Sequence, residues 1–265
     1  MTPALARSFL FVPADRPERF AKAEASGADM VILDLEDAVL PEGKATARTH
    51  LLTHLKPARG VVRINSYGTE WFAEDLAVLH CAGLQALILP KAEVASIEAL
   101  APHLPKGMPL LALIETAKGI LEAPQIAAHP AVQRLMFGSV DFANDVNAVE
   151  GAPVMEAARA ALVLASAAAG LNGPVDGVSL DLSGGEGLEA EVRRRASEGF
   201  RGKLCIHPAQ ISSVHQGLAP SEAEVARARA LLAAAQSADH GAIRFEGKLI
   251  DKPVLDRAKR LLATL

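Results

Sequence analysis

The chain has 265 residues, with 27 lysines and arginines against 31 aspartates and glutamates, so its net charge is −4 when histidine is neutral. Half of the residues are apolar, which excludes an intrinsically disordered chain, and only 4% are aromatic. Nucleic-acid-binding proteins need a basic surface or stacking aromatic residues, and this composition argues against that class. The length allows one or two domains, and α/β barrels of this size form one.

The cysteines and the apolar segments bear on the cellular compartment. Cys81 and Cys205 lie in apolar surroundings, which favours free thiols over a disulfide or a metal site. The apolar stretch 8–14 ends at Asp15 and Arg16, so no signal peptide is expected. The uncharged stretch 160–175 is mostly alanine and falls short of the roughly 20 apolar residues that span a bilayer. We therefore expect a soluble cytoplasmic protein that binds neither membranes nor nucleic acid.

Short apolar runs alternate with helical patterns along the chain. Eight runs rich in β-forming residues lie at 8–13, 30–36, 60–65, 86–91, 110–115, 134–142, 176–182 and 202–208. Stretches with helical spacing follow them, for example at 16–26, 69–81, 92–100 and 153–169. The runs begin about 28 residues apart on average, which is the length of one strand plus one helix. Near-continuous apolar strands that alternate with helices indicate a parallel sheet covered on its outer face.

The number of these units predicts an α/β fold, a (β/α)8 TIM barrel over residues 1–210. An open, doubly wound sheet is the alternative. That fold normally begins with a glycine-rich phosphate loop, whereas the first turn here, VPADRPERF, has no glycine. Beyond the barrel we expect a helix at 221–237, a loop, and a last helix from Pro253. Residues 211–265 would then form a C-terminal helical arm that caps the barrel mouth or packs on a neighbouring subunit.

Polar residues end nearly every predicted strand on the side where TIM barrels place their active sites. From strand two to strand eight they are Asp34, Glu36, Asp37, Arg63, Asn65, Lys91, Glu115, Asp141, Asp181 and His207. Five of these acids, from strands two, five and six, face only two cations, Arg63 and Lys91. Crowded carboxylates repel each other unless a cation neutralises them, and oxygen ligands without a Cys/His pair at zinc spacing predict Mg²⁺. The alternative is that each acid pairs with an arginine or lysine across the rim.

Two further features leave alternatives open. His207 either lies in a tight turn held by backbone hydrogen bonds or binds a metal, although no second histidine lies nearby in this set. The glycine-rich segment 183–187 after strand seven is flexible enough to admit a phosphate group or a pantetheine arm.

The chain resembles the citrate lyase β-subunit and malyl-CoA lyase family (HpcH/HpaI) in seven segments that occur in order. They are RSFLFVPADRPERFAKA, VILDLEDAV, VVRIN, LILPK, LIETAKGI, FGSVDFANDV and KLCIHPAQI. That family consists of Mg²⁺-dependent barrel enzymes that cleave or form carbon–carbon bonds of 3-hydroxyacyl thioesters. The resemblance runs from Arg7 to the C-terminal helix and implies a homotrimer.

The resemblance also implies roles for individual residues. Glu115 and Asp141 match the magnesium ligands, and Glu115 would also contact substrate at this site. Arg63 matches the arginine that binds the carboxylate of oxaloacetate or glyoxylate. A guanidinium suits this contact because it binds carboxylates in a bidentate manner. Glu36 and its acidic neighbours would hold metal-bound waters or orient Arg63. Arg16 would contact a phosphate of the thioester cofactor, or else it is a surface cation at the start of a helix.

The segment FEGKLIDKPVLDRAKRL resembles a C-terminal element in which an aspartate before proline closes over the active site of the adjacent subunit. That residue is Asp251, whose alternative role is to cap the last helix. One departure concerns Val140, since some acyl-CoA lyases of this group have a glutamate directly before the metal-binding aspartate.

These residues predict a Mg²⁺-dependent lyase that cleaves citryl-CoA to oxaloacetate and acetyl-CoA, with the acyl group on CoA or on an acyl carrier protein. Alternatives are an (S)-citramalyl-CoA or malyl-CoA lyase or thioesterase and a pyruvate-forming class II aldolase. Two more are a Schiff-base aldolase that uses Lys91 and a non-catalytic subunit that docks an acyl carrier protein.

Overall fold

The computed structural model describes residues 1–236 and 243–262. Eight parallel strands form a closed barrel in chain order, which confirms the predicted (β/α)8 fold. The strands are β1 (Ser8–Pro13), β2 (Met30–Asp34), β3 (Gly60–Arg63), β4 (Leu84–Leu89), β5 (Leu110–Ile114), β6 (Val132–Phe137), β7 (Val175–Asp176) and β8 (Gly202–Cys205). The barrel closes where β8 pairs with β1.

Helices follow the strands and cover the barrel. They are α1 (Phe20–Glu24), α2 (Lys44–His54), α3 (Phe72–Asp75), α4 (Val94–Leu100), α5 (Ala117–Ala128), α6 (Ser139–Asp145), α7 (Pro153–Ala168), α8 (Glu186–Glu198) and α9 (Gln210–Leu218). Among the described residues, no helix combines the length and the apolar character needed to cross a bilayer.

The alternation of side chains along each strand places the polar cluster inside the barrel. Ile32, Val61 and Leu113 belong to the apolar core that fills the barrel interior. Because successive side chains of a strand point to opposite faces, residues two positions further on share the same side. Those residues are Asp34, Arg63 and Glu115, and all three are buried. The strand period therefore carries two carboxylates and a guanidinium to the carboxyl end of the barrel interior.

A buried arginine lies toward the opposite end of the barrel. Arg134 lies two residues before Met136 on β6 and is fully buried. Its Nε donates to the carbonyl oxygen of Gly173 at 3.0 Å, and its Nη1 donates to that of Ala6. The guanidinium carbon lies 5.8 Å from the ring centroid of Phe9. Arg134 thus ties the segment before β1 to the segment before β7.

Two predicted strands are shorter than expected. The run 134–142 splits into β6 and α6, so Asp141 lies in the first turn of a helix and not on a strand. The run 176–182 was predicted as a strand, but β7 ends at Asp176. A Cβ atom at the next residue, Gly177, would lie 2.2 Å from Ser139 Oγ, so α6 packs directly against the backbone there. Residues 177–182 leave the barrel wall as a loop, which leaves Leu180 and Leu182 exposed.

The chain divides into two compact units, Met1–Leu218 and Ala219–Leu265. The first unit includes α9 and so extends beyond the predicted boundary after residue 210. Helix α9 belongs to the barrel because it packs on α8, β8 and β1. His215 Nε2 on α9 lies 2.8 Å from Ser8 Oγ on β1.

The second unit contains α10 (Glu222–Gln236), β9 (Ile243–Phe245), β10 (Lys248–Ile250) and α11 (Lys252–Leu262). The two strands form an antiparallel hairpin in a segment predicted to be a loop. Glu246 and Gly247 form its turn with φ angles of 46° and 74°, the left-handed pair that tight hairpins require. Residue 237, the predicted end of α10, lies outside the described residues.

A buried ionic network between the barrel wall and α8 makes a testable contribution to stability. Lys203 Nζ on β8 donates to Asp176 Oδ2 at 2.9 Å and to Glu191 Oε1 at 2.6 Å. The side chains of Lys203 and Asp176 are 2% and 1% exposed. Replacing Lys203 by methionine leaves Asp176 buried with one fewer cation, so we expect the free energy of unfolding to fall by about 3–5 kcal/mol. Urea denaturation measures this change.

A second variant separates lost pairing from lost packing. Asp176→Asn in the Lys203→Met background removes the buried negative charge that has only Arg159 as its remaining partner, so we expect part of the lost stability to return. Unchanged stability in Lys203→Met alone would contradict this role for the network.

Candidate functional site

A bidentate ion pair joins β2 to β3 at the carboxyl end of the barrel. Arg63 Nε donates to Asp34 Oδ1 at 2.7 Å, and Arg63 Nη2 donates to Asp34 Oδ2 at 2.6 Å. Asp34 also accepts the backbone N–H groups of Glu36 at 3.0 Å and Ala38 at 3.2 Å. Burial lowers the pKa of Arg63, but the hydrogen-bonded Asp34 carboxylate and the charges of Glu36 and Glu115 together outweigh it and raise that pKa above its ordinary value. Arg63 is therefore a fixed, permanently charged group.

Glu36 lies on the other side of this guanidinium. Its Oε1 accepts hydrogen bonds from Ser66 Oγ at 2.9 Å and Lys91 Nζ at 2.7 Å. Its Oε2 lies 3.0 Å from Arg63 Nη1. Burial raises the pKa of Glu36, while Arg63 and Lys91 oppose that rise. Glu36 thus connects Arg63 to Lys91.

Glu115 lies at the end of β5 with only one of its oxygens engaged. Oε1 accepts the backbone N–H of Lys91 at 2.7 Å. Oε2 is buried and has no hydrogen-bond partner among the described residues. Burial and the nearby Glu36 carboxylate raise the pKa of Glu115 to about 8, although Arg63 and Lys91 oppose the shift. A buried, unpartnered carboxylate oxygen is costly unless a cation or proton meets it.

Asp141 approaches Glu115 from the first turn of α6. Its carboxylate is near enough to contribute to the raised pKa of Glu115. Asp145, at the end of the same helix, accepts the N–H of Ala117 at 2.7 Å and so ties α6 to the start of α5. Because α5 follows β5 directly, this bond fixes Asp141 relative to Glu115.

The two carboxylates are the residues that could hold a metal ion. In the described part of the chain, no group of three or more His, Cys, Asp or Glu residues is arranged for metal binding. Mg²⁺ commonly takes one or two protein carboxylates and leaves its other positions to water and substrate. The free oxygen of Glu115 beside Asp141 therefore fits Mg²⁺, whereas zinc sites usually require more protein ligands.

Gly138 makes room for the Glu115 carboxylate, which gives a further prediction. A Cβ atom at Gly138 would lie 2.5 Å from Glu115 Oε2 and 2.6 Å from Glu115 Cβ. We expect the added methyl group in Gly138→Ala to displace this carboxylate. Because displacement of a ligand disturbs metal–ligand geometry, Mg²⁺ binding should weaken by about tenfold or more. Calorimetric titration with Mg²⁺ measures the loss.

The control for that variant is Gly187→Ala. A Cβ atom at Gly187 meets nothing within 4 Å. Equal Mg²⁺ affinity in the two variants would contradict the prediction that Glu115 needs a glycine at position 138 to bind Mg²⁺.

The predicted charge imbalance needs correction, because a third cation is present. Lys44, in the first turn of α2, is buried, and its Nζ donates to the carbonyl oxygens of Leu35 and Glu36 at 2.8 Å each. Its third bond goes to Asn65 Oδ1 at 2.7 Å. Asp37 is exposed at the edge of the cluster. The acids of strand two are thus largely paired, as the alternative interpretation predicts. Glu36 Oε2 has the Arg63 ion pair, whereas Glu115 Oε2 has neither a hydrogen bond nor an ion pair among the described residues.

A buried glutamine that no sequence pattern predicts holds together the loops that follow β7 and β8. Gln210 is buried, and its side chain accepts the N–H groups of Ile206 and His207 at 2.9 and 3.1 Å. It also donates to the carbonyl oxygens of Ser179 and Asp181. His207 is exposed in this turn, which matches the backbone-turn alternative. Asp181 is exposed in the loop beyond β7 and not at the end of a strand, because the strand ends at residue 176.

Two further predicted site residues are exposed. Arg16 is exposed in the turn after β1. Asp251 is exposed in the second unit, directly before α11, and its carbonyl oxygen accepts the N–H of Leu255 at 3.2 Å. Their roles remain predictions.

The fold and the cluster define a TIM-barrel protein whose acid-rich mouth suits a hard divalent cation. The HpcH/HpaI aldolase/citrate lyase family matches residues 7–208, and the chain belongs to this family. It is 43% identical over 263 residues to a citrate lyase subunit beta-like protein of Mycobacterium tuberculosis, covering 96% of this chain and 93% of that protein. It is 35% identical to a (3S)-malyl-CoA thioesterase of Cereibacter sphaeroides, covering 97% and 93% of the two chains.

A solved structure agrees with this assignment. The crystal structure of the M. tuberculosis protein CitE in complex with magnesium, acetoacetate and coenzyme A is 40% identical, with a TM-score of 0.88 and 98% of each chain covered.

Proposed function

We propose that this protein is a Mg²⁺-dependent carbon–carbon lyase that cleaves a citryl-CoA-type 3-hydroxyacyl thioester to oxaloacetate and an acetyl thioester. The observation that carries the proposal is Glu115, with one oxygen held by Lys91 and the other buried and unpartnered next to Asp141. The M. tuberculosis structure with magnesium, acetoacetate and coenzyme A supports the same class of metal and cofactor.

Glu115 and Asp141 would hold the magnesium ion, and substrate oxygens and water would complete its shell. When bound, Mg²⁺ supplies a Lewis acid that polarises the oxygen at the carbon where cleavage occurs.

Arg63 binds the carboxylate of the oxo-acid portion in this proposal. The Arg63 guanidinium has five N–H donors, of which two bind Asp34, so three remain for Glu36 and for substrate. Asp34 and Glu36 hold the guanidinium in place before substrate arrives, which lowers the entropic cost of orienting it. Glu36 acts by orienting Arg63, and Arg16 contacts a phosphate of the thioester cofactor.

Cleavage requires two proton movements. A base removes the proton of the substrate hydroxyl, the carbon–carbon bond breaks, and its electron pair passes to the thioester as an enolate. Protonation of the enolate carbon then gives the acetyl thioester. We assign the proton transfers to Asp251 of a neighbouring subunit in a homotrimer, whose arm is the second unit, Ala219–Leu265.

The Schiff-base alternative is disfavoured by the state of Lys91. Burial lowers the pKa of Lys91, but its hydrogen bond to Glu36 and the negative charges of Glu36, Glu115 and Asp37 together outweigh this and raise the pKa above its ordinary value. The side chain is therefore an ammonium and not the free amine that attacks a carbonyl.

The experiment that tests the proposal is a side-by-side measurement of citryl-CoA, (S)-citramalyl-CoA and malyl-CoA turnover with Mg²⁺. We expect oxaloacetate and acetyl-CoA from citryl-CoA, and loss of activity in EDTA. A second candidate, a malyl-CoA lyase or thioesterase, is favoured by the 35% identical C. sphaeroides protein, and malyl-CoA as the best substrate would select it. No cleavage of any of the three thioesters would refute the lyase proposal.

A further inference from the structure

Lys91, two residues beyond the end of β4, has an unusual backbone conformation. Its φ angle is 47°, in the left-handed region. Among the non-glycine residues of the described chain, only Asn147 and Glu246 share a positive φ. A lysine in this region is strained, because its Cβ lies too close to the following carbonyl oxygen. Such strain persists only where the surrounding structure imposes it, and it is frequent at functional sites.

This conformation lets one residue reach two buried carboxylates. The backbone N–H of Lys91 donates to Glu115 Oε1 at 2.7 Å, and its Nζ donates to Glu36 Oε1 at 2.7 Å. The φ torsion sets the direction of the side chain relative to the N–H group. The left-handed value therefore determines that the ammonium reaches Glu36 while the N–H points at Glu115.

The two contacts give the carboxylates different tasks. Glu115 Oε1 is occupied by an N–H group, so Oε2 is the oxygen left for a cation. Glu36 is neutralised by Lys91 and Arg63 and does not compete for that cation. Without Lys91, Glu36 would keep only Arg63 as a cationic partner, next to the buried Glu115 whose pKa its charge raises.

We propose that Lys91 is a positioning residue of the magnesium site, whose left-handed backbone selects Glu115 Oε2 as the metal ligand and keeps Glu36 bound to Arg63. This inference rests on the proposed magnesium role of Glu115. It concerns metal binding and does not depend on which thioester the enzyme cleaves.

The test compares Lys91→Gly with Lys91→Val by calorimetric titration of the full chain with Mg²⁺. Both variants lose the ammonium, so their difference reports the backbone conformation together with the small isopropyl group that valine adds. Glycine adopts the left-handed conformation without strain, whereas a β-branched residue is a strong outlier there. We expect Lys91→Val to bind Mg²⁺ about tenfold more weakly than Lys91→Gly.

Equal affinities in this pair would overturn the proposal. If Lys91→Val does not fold, Lys91→Asn and Lys91→Leu replace the pair, because they are similar in size but only asparagine tolerates the left-handed region well. Wild-type Mg²⁺ affinity in all folded variants would likewise overturn it.

The two proposals can fail separately. A wild-type protein that binds Mg²⁺ through Glu115 but cleaves no thioester refutes the lyase function and leaves the role of Lys91 standing. If the protein cleaves a thioester but all Lys91 variants bind Mg²⁺ with equal affinity, only the role of Lys91 is refuted.

Discussion

Replacing Glu115 by glutamine is expected to lower kcat/KM for Mg²⁺-dependent thioester cleavage by about a thousandfold or more. The amide carbonyl of glutamine still accepts the Lys91 N–H bond seen at 2.7 Å, so the local structure is retained. What disappears is the negative charge that the metal requires. Steady-state kinetics with each of the three thioesters measures the effect, with the exposed Glu98→Gln on α4 as the matched control.

The free energy of unfolding of Glu115→Gln shows whether its loss of activity comes from unfolding. The folded-state pKa of Glu115, raised to about 8 by burial and Glu36, lies above the ordinary value of 4.5. The metal-free folded protein therefore binds an extra proton between these values, and Glu115 destabilises it progressively as pH rises through that window. Above pH 8 we expect metal-free Glu115→Gln to be more stable than wild type. A variant that is inactive and also less stable there would contradict this account.

Arg63→Lys is expected to lower kcat/KM by about a hundredfold, with a large rise in KM. Lysine keeps the charge but not the planar fork that binds Asp34 through two bonds of 2.7 and 2.6 Å. It also cannot bind a substrate carboxylate in a bidentate manner while it is paired with Asp34 and Glu36. Initial-rate kinetics separates kcat from KM, and Mg²⁺ titration shows whether the metal site survives.

The control for this variant is Arg59→Lys, at an exposed arginine in the turn before β3. We expect it to behave as wild type. A wild-type KM in Arg63→Lys would exclude Arg63 as the carboxylate-binding residue.

The parts of the site that follow from strand periodicity could be predicted from the sequence. Asp34, Arg63 and Glu115 each lie two residues beyond a core residue of their strand, so the barrel brings them together wherever its helices pack. Regular spacing of strand and helix likewise identified the barrel.

Other parts depend on contacts that no local pattern contains. Lys44 reaches the site from a helix, and nothing in its sequence surroundings shows that its Nζ meets two backbone carbonyls. The structural role of Gln210 likewise becomes visible only from its hydrogen bonds to the two loops that it joins. β7 stops early because α6 packs against Gly177, while the alternating leucines beyond it imitate a strand. In each case a tertiary contact overrides the local pattern.

Most of the acids at the mouth of the barrel already have cationic partners. The sequence showed an excess of acids at one end of the barrel, but Asp34 and Glu36 are paired with Arg63 and Lys91. The need for a cation therefore rests on Glu115 Oε2 and the neighbouring Asp141, and not on the total number of carboxylates.

The measurement that tests this claim most directly is proton release on Mg²⁺ binding, from calorimetric titrations in buffers of different ionisation enthalpy. Since Glu115 has a pKa of about 8 without metal, wild-type protein at pH 7 should release about one proton per Mg²⁺ bound. Its affinity should rise with pH up to about 8 and then level off, and Glu115→Gln should neither release this proton nor bind tightly. Magnesium binding without proton release, or with unchanged affinity in Glu115→Gln, would contradict the assignment of Glu115 as the metal ligand.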